Sequence, residues 1–319
     1  MTDFSTLAGR PTKITARGFG WTHAGRTQPA LADIDLVIEP GERVLLCGDS
    51  GSGKSTFLAA IAGVLGSDEE GTRAGEILLE DSTGAVEEPG HSIPVGLVLQ
   101  DPDSQVISAR VGDDIAFGCE NLAYPREEIW RRVAAAKDLV GPFVDMDFPT
   151  GRLSGGQKQR LALAGVIAMG AGVVLLDEPT ANLDPAGARD VVRAVSALVE
   201  ETGATLVVVE HQHTAWEGVL DRAVELAQGR IVADGPFAQV AKRRRVEGLP
   251  QARELGDGAA GEGDAALWSK GLVTRFGPPR TISLPAGAST VITGPNGAGK
   301  STWLMTMAGL LPAISGEIG

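Results

Sequence analysis

One nine-residue pattern is written twice in this chain, as Gly48-Asp49-Ser50-Gly51-Ser52-Gly53-Lys54-Ser55-Thr56 and, 246 positions later, as Gly294-Pro295-Asn296-Gly297-Ala298-Gly299-Lys300-Ser301-Thr302. The spacing Gly-x-x-x-x-Gly-Lys-Ser requires a chain that turns tightly and offers backbone N–H groups to phosphate oxygens. Next to these come a lysine charge and a hydroxyl suited to magnesium. The first copy comes directly after the apolar run Arg43–Cys47 and opens a helical pattern. Free N–H groups and the helix dipole there favour an anion. Lys54 is expected to bridge β- and γ-phosphates, Ser55 to give its hydroxyl to magnesium, and Thr56 to donate toward the α-phosphate.

The repeat extends beyond the loops. Residues 48–66 align with 294–312, and Gly75-Glu76-Ile77 has a counterpart in Gly316-Glu317-Ile318. Residues 78–240 have no counterpart after Ile318, so residues 267–319 are expected to be the N-terminal fragment of a second copy. Between the two, residues 243–266 contain Gly256-Asp257-Gly258-Ala259-Ala260-Gly261, with almost nothing to bury, and are expected to form a flexible linker. Just before it stands Lys242-Arg243-Arg244-Arg245, either a solvated basic turn or a patch for anionic lipid headgroups.

Strand-like runs at 13–19, 34–38, 43–47, 76–80, 95–99, 173–176, 205–209, 223–226 and 230–233 are interleaved with helical patterns over 54–64, 127–140, 155–169 and 186–201. The alternation predicts an α/β fold with a mainly parallel core sheet, and the earliest strands, joined by short polar turns, an antiparallel flank. The chain has 319 residues, which suggests about two domains. Its formal charge of −13 repels a phosphate backbone and argues against a nucleic-acid partner. Cys47 and Cys119 fit no metal-ligand spacing and suit a reducing compartment, as small core residues. No signal peptide and no apolar run of bilayer length is seen, so a cytoplasmic protein that meets membranes through a partner is expected.

Further residues carry chemistry. The apolar run Val173–Leu176 ends in Asp177 and Glu178, and adjacent side chains at a strand end point different ways. Asp177 is expected to serve magnesium, and Glu178 to be the general base or to position the attacking water. Upstream lies Leu153-Ser154-Gly155-Gly156-Gln157, a serine N-cap followed by two glycines at the start of a helical pattern.

In this order, the phosphate loop, Leu-Ser-Gly-Gly-Gln and Leu-Leu-Asp-Glu-Pro-Thr resemble the ATP-binding cassette family. The resemblance covers nearly all of residues 12–240. It implies a P-loop ATPase fold over residues 1–242, with a helical subdomain at about 101–170. It further implies that Leu153–Gln157 faces the γ-phosphate of ATP held by an opposing cassette. Gln100 matches the glutamine that reaches magnesium and water, and His211 the switch histidine at the γ-phosphate. Asn182 and Asp184 fall in the dimer-contacting loop, although Ser-Ala-Leu-Asp is the commoner form there. Trp21 lies where the family carries an aromatic that stacks on adenine; a core tryptophan is the alternative.

Within that family, Gln100-Asp101-Pro102-Asp103-Ser104-Gln105, residues 111–118 with Glu120-Asn121, and residues 164–169 resemble energy-coupling-factor ATPases. This implies an ATP- and magnesium-dependent motor on the cytoplasmic face of the membrane. Its partners would be a transmembrane coupling subunit, a membrane substrate-binding subunit and a second cassette. That cassette would be the full-length C-terminal half of the same protein, a paralogue or another copy of the chain. The imported substrate would be a vitamin or transition-metal ion. The alternative is a soluble cassette ATPase acting on ribosomes or DNA, which predicts basic surface or, for the DNA-end type, a long coiled coil; residues 57–152 show no sustained heptads.

Overall fold

In the computed structural model the described residues are 7, 9–66, 70–140, 145–181, 183–211, 213–241, 265–275, 277–287, 289–292, 294 and 298–319. Asn182, Gly297, the basic turn and nearly all of the expected linker lie outside them. The chain divides into two compact units, one of residues 1–182 and 187–248 and the other of residues 183–186 and 249–319.

The first unit opens with β1 (Lys13–His23), β2 (Leu31–Ile38), β3 (Arg43–Gly48), β4 (Gly71–Glu80), β5 (Val86–Glu87) and β6 (Val95–Val98). It continues through β7 (Val173–Asp177), β8 (Thr205–Val209), β9 (Arg222–Ala227) and β10 (Arg230–Pro236). Two sheets result. The first is antiparallel, in the order β2-β1-β4-β5, and is the flank expected from the sequence. The other runs β10-β9-β3-β8-β7-β6 and is parallel except for the β9–β10 hairpin.

Burial explains the parallel sheet. Strand β8 is buried at every residue and β7 at all but its last, as strands covered on both faces must be. Its inner residues share one cluster with those of the flank, Ile14, Phe19, Ile38 and Ile77 among them. Each large side chain so buried contributes about 1.5–3 kcal/mol.

The parallel register decides where the chemistry falls. Val209 pairs with Leu46 on one side and Asp177 on the other, and Leu176 pairs with Val98. The carboxyl ends of β3, β6, β7 and β8 therefore stand together at one edge, where ligands of open parallel sheets bind.

The helices are α1 (Lys54–Ile61), α2 (Val111–Asn121), α3 (Arg126–Leu139), α4 (Gly155–Met169) and α5 (Pro185–Thr202). Between β6 and β7 the chain makes a layer of α2, α3 and α4 packed on one another, within the span expected to be helical. Helix α4 rests on β6 closely enough that a Cβ at Gly96 would stand 2.2 Å from Val166 Cγ1. Helix α2 was not anticipated, although Val111, Ile115 and Cys119 recur on one buried face behind acidic Asp113 and Asp114. Helix α1 ends at Ile61 rather than at the expected Val64, because Gly63 takes φ 72° against the backbone of Gly90.

The second unit has β11 (Ala265–Val273), β12 (Arg280–Pro285) and β13 (Ser315–Ile318), an antiparallel sheet in the order β12-β11-β13, with a helix at Lys300–Met307. Leu272, Trp303 and Met307 make its small core. Residues 289–292, the counterparts of Arg43–Leu46, are not in a strand. Strand β3 is held between β8 and β9, and among the described residues the second unit has no equivalent of either. Consequently Val291 is 84% exposed where its counterpart Leu45 is 0% exposed. No helix among the described residues is long and apolar enough to cross a membrane.

Candidate functional site

The loop from Gly48 to Lys54 joins β3 to α1 through three glycines at positive φ, namely Gly48 at 149°, Gly51 at 78° and Gly53 at 103°. Two of them are also packed too tightly for a side chain. A Cβ at Gly48 would stand 2.2 Å from Leu226 O, and one at Gly53 2.5 Å from Ala30 O. The turn between β9 and β10 supports the loop from behind, with Gly229 N donating to Ser52 O at 3.1 Å.

Lys54 is 6% exposed, and its Nζ donates to Gly48 O and Asp49 O, both at 2.9 Å. The loop is thereby closed on its own cation. Ser52 Oγ is buried with no hydrogen-bond partner among the described residues. A buried hydroxyl donor beside a caged ammonium fits a phosphate oxygen.

Asp177 ends β7, and Ser55 donates a hydrogen bond to it. Burial raises the Asp177 carboxyl above the ordinary carboxylate range and the Glu178 charge adds to this, while Ser55, Lys54 and His211 act against it. A hydroxyl, a carboxylate and the Gln100 amide are all hard oxygen donors, which fits magnesium. Among the described residues no group of three His, Cys, Asp or Glu could hold a metal. The ion would therefore share its ligands with phosphate, as magnesium does in nucleotide sites.

Glu178 is the centre of the site. Its φ is 46°, a left-handed conformation that side chains rarely adopt, and its N–H donates to Val209 O at 2.9 Å. Gln100 Nε2 donates to Glu178 Oε2 at 2.9 Å, and His211 Nε2 lies 3.0 Å from Oε1. One carboxylate is thus clamped from the loops that come after β6 and β8.

One further contact joins the loop after β7 to the end of β8, through Glu210, to which the sequence reading gave no role. Glu210, 4% exposed, accepts from the hydroxyl of Thr180 and, at 2.9 Å, from the backbone N–H of His211. A charged residue next to His211 in an otherwise apolar run was the available signal.

Ser154 caps α4 in a reciprocal box, with Ser154 N donating to Gln157 Oε1 at 2.8 Å and Gln157 N to Ser154 Oγ at 3.4 Å. Leu153 is buried beneath, Ser154 and Gly155 are exposed, and Gly156 and Gln157 are half-buried. A Cβ at Gly155 would meet nothing within 4 Å, so the chain's own packing does not require a glycine there. Asp184 is half-buried.

Trp21 is a correction. It was expected to stack on adenine, but it is 4% exposed and belongs to the core cluster. Its Nε1 donates to His23 Nδ1 at 3.2 Å, and its six-membered ring lies where a Cβ at Gly71 would be 2.3 Å away. The bare Gly71 on the neighbouring strand leaves the space that the indole fills, so Trp21 is a core residue rather than an exposed platform for a base.

In the second unit Gly294 and Gly299 repeat the positive φ values, at 151° and 78°, and Lys300 Nζ donates to Gly294 O at 2.7 Å. Ser301 is exposed and Thr302 half-buried.

A family model described as ABC transporter matches residues 31–181 and 279–319. A putative ABC transporter ATP-binding protein of Methanosarcina acetivorans is 39% identical over 229 residues, covering 72% of this chain and 36% of that protein. This chain therefore spans little more than a third of that relative. The energy-coupling factor transporter ATP-binding protein EcfA1 of Caldanaerobacter subterraneus is 38% identical over 241 residues, covering 72% of this chain and 83% of that protein. Among solved structures, cbiO1 from Clostridium perfringens, part of the ABC transporter complex cbiONQ, superposes with a TM-score of 0.62 at 31% identity, over 73% of this chain and 92% of the other. On the phosphate loop, the clamped carboxylate and these matches together, the chain belongs to the ABC transporter family.

Proposed function

We propose that this chain is the ATP-hydrolysing motor of a membrane transporter of the energy-coupling-factor type, importing a vitamin or a transition-metal ion. The observation that carries the reading is the Glu178 carboxylate, held by Gln100 and His211 at the strand edge that also presents Lys54 and Ser55. Similarity to an energy-coupling factor ATP-binding protein supports the choice of transporter type.

In this reading the glycine loop receives the phosphates, and Lys54 exchanges its two carbonyl partners for β- and γ-phosphate oxygens. Gln100 and His211 orient the carboxylate of Glu178 toward a water in line with the γ-phosphorus. Glu178 takes the proton of that water as its oxygen bonds to phosphorus and the bond to the leaving ADP oxygen breaks. Ser55, Asp177 and Gln100 would hold magnesium, whose chemistry is to neutralise the charge of the phosphate oxygens. Donors for the open side of the γ-phosphate are left to a second cassette, through its Ser154 and Gly155. The open space at Gly155 supports that role.

Residues 1–242 form one complete cassette in this account, and Lys300 and Ser301 belong to the start of a second. The second stretch of family similarity, at 279–319, supports this. The opposing cassette is a fuller C-terminal half, a paralogue or another copy, with Asn182 and Asp184 at the contact. A transmembrane coupling subunit and a membrane substrate-binding subunit complete the transporter, and the motor sits peripherally on its cytoplasmic face.

The test is Glu178→Gln in the complete transporter. Turnover is expected to fall by about 10²–10⁴-fold with nucleotide still bound. Hydrolysis at the wild-type rate would sink the assignment.

A further inference from the structure

Gln105 turns its whole amide back onto the loop that carries Gln100. Its Oε1 accepts from Leu99 N at 2.8 Å, and its Nε2 donates to Leu99 O at 3.0 Å and to Asp101 O at 3.3 Å. Leu99 is the first residue beyond β6, the last strand of the parallel sheet. By taking both main-chain groups of Leu99, Gln105 does what a neighbouring strand would do, with one side chain. It then reaches past Gln100 to hold Asp101 as well.

Gln100 is thus the one residue between two clamped neighbours, and its own amide is the donor to Glu178 Oε2 at 2.9 Å. Other bonds tighten the same turn. Ser104 Oγ donates to Asp101 O at 2.8 Å, and Asp103 N to Asp101 Oδ1 at 3.1 Å. An ion pair between Asp103 and Lys158 anchors the far side of the loop to the first turn of α4.

We infer that Gln105 is a positioning residue for the proposed reaction, acting through Gln100 by fixing the backbone on both sides of it. The inference rests on the hydrolytic reading of the Gln100–Glu178 contact. Only an amide carries donor and acceptor on one end at this length. Glutamate has the same shape but no donor when ionised. It would keep the bond from Leu99 N, lose both donated bonds and set its charge against two carbonyl oxygens.

The test is a double-mutant cycle on ATP turnover by the full chain in its membrane complex, comparing wild type, Gln105→Glu, Gln100→Ala and the double variant. Gln105→Glu is expected to lower kcat about tenfold, as for a misplaced catalytic group, with KM for ATP within about twofold. In the Gln100→Ala background it is expected to add nothing, because the residue it positions is gone. Losses that multiply in the double variant, or a raised KM with kcat unchanged, overturn the inference. If Gln105→Glu does not fold, Gln105→Met keeps the length without the charge and is put through the same cycle, with the same outcomes for and against. Glu178→Gln runs alongside: if it turns over at the wild-type rate, the hydrolytic reading fails and takes the inference with it. If Glu178→Gln is inactive and the cycle is additive, the inference alone fails.

Discussion

The Nε2 atom of His211 stands 3.0 Å from Oε1 of Glu178, although 33 positions separate them, because β7 and β8 are parallel neighbours that end in register at Asp177 and Val209. With His211 removed, Glu178 loses one of two partners in a left-handed backbone conformation. His211→Ala is expected to lower ATP turnover about a hundredfold, as for loss of one preorganised donor. Steady-state hydrolysis by the complete transporter checks this, and a rate within experimental error of wild type would contradict it.

Trp21 gives a prediction of the opposite kind. As a core residue its replacement should affect stability and leave nucleotide affinity alone. Trp21→Ala is expected to cost about 3–5 kcal/mol of stability, while the ATP dissociation constant of the protein that remains folded stays within about twofold. A tenfold loss of affinity with little loss of stability would restore the stacking role.

Gly53 separates shape from flexibility. At φ 103° an added Cβ meets Ala30 O at 2.5 Å and Leu31 Cδ2 at 2.8 Å. Gly53→Ala therefore combines backbone strain on the order of 1–3 kcal/mol with a clash at the phosphate loop. The rise in melting temperature that ATP produces in the wild type is expected to vanish; an undiminished ATP-dependent shift would count against the loop as the nucleotide site.

Ser154 combines two roles that one substitution can part. Aspartate caps a helix about as well as serine, so Ser154→Asp should leave the melting temperature of the isolated chain within about 2 °C of wild type. Its added charge would face the γ-phosphate of an opposing cassette, and turnover in the assembled transporter should collapse. Full activity in that variant would argue against the opposed arrangement.

The thiol of Cys119 is pushed up to about 11, chiefly by burial, with Arg132 opposing and Glu128 and Glu120 adding to the shift. A raised pKa means the neutral form dominates below it, so at pH 8 the thiolate is on the order of one part in a thousand. Iodoacetamide at pH 8 is expected to spare Cys119 in the native chain and to label it after unfolding. Mass spectrometry showing rapid labelling of the native protein would refute the buried placement.

Much of the site was legible because its residues lie in contiguous, ordered patterns. The phosphate loop can be read from its glycines, and Asp177 and Glu178 from the apolar run they terminate. Less legible were groups defined by contact alone. Helix α2 was missed because Gly112, Ala116 and Cys119 on its buried face are weak apolar markers, and Glu210 because a carboxylate's use depends on Thr180, thirty positions away. Trp21 was misplaced because its burial depends on Gly71 of the neighbouring strand, which no local pattern reports.

The sequence by itself determined that a phosphate loop is written twice, and that the residues proposed here for hydrolysis, Gln100, Asp177, Glu178 and His211, follow the first copy. The loops, and the acids Asp177 and Glu178, arise from residue types at short spacing, whereas the roles of Gln100 and His211 are what the family resemblance implies. Only the tertiary structure decided that Gln100, Glu178 and His211 share one carboxylate, and that Val291 is exposed where its counterpart Leu45 in β3 is buried. Both depend on strand register and on neighbours supplied from distant parts of the chain, which local sequence does not encode.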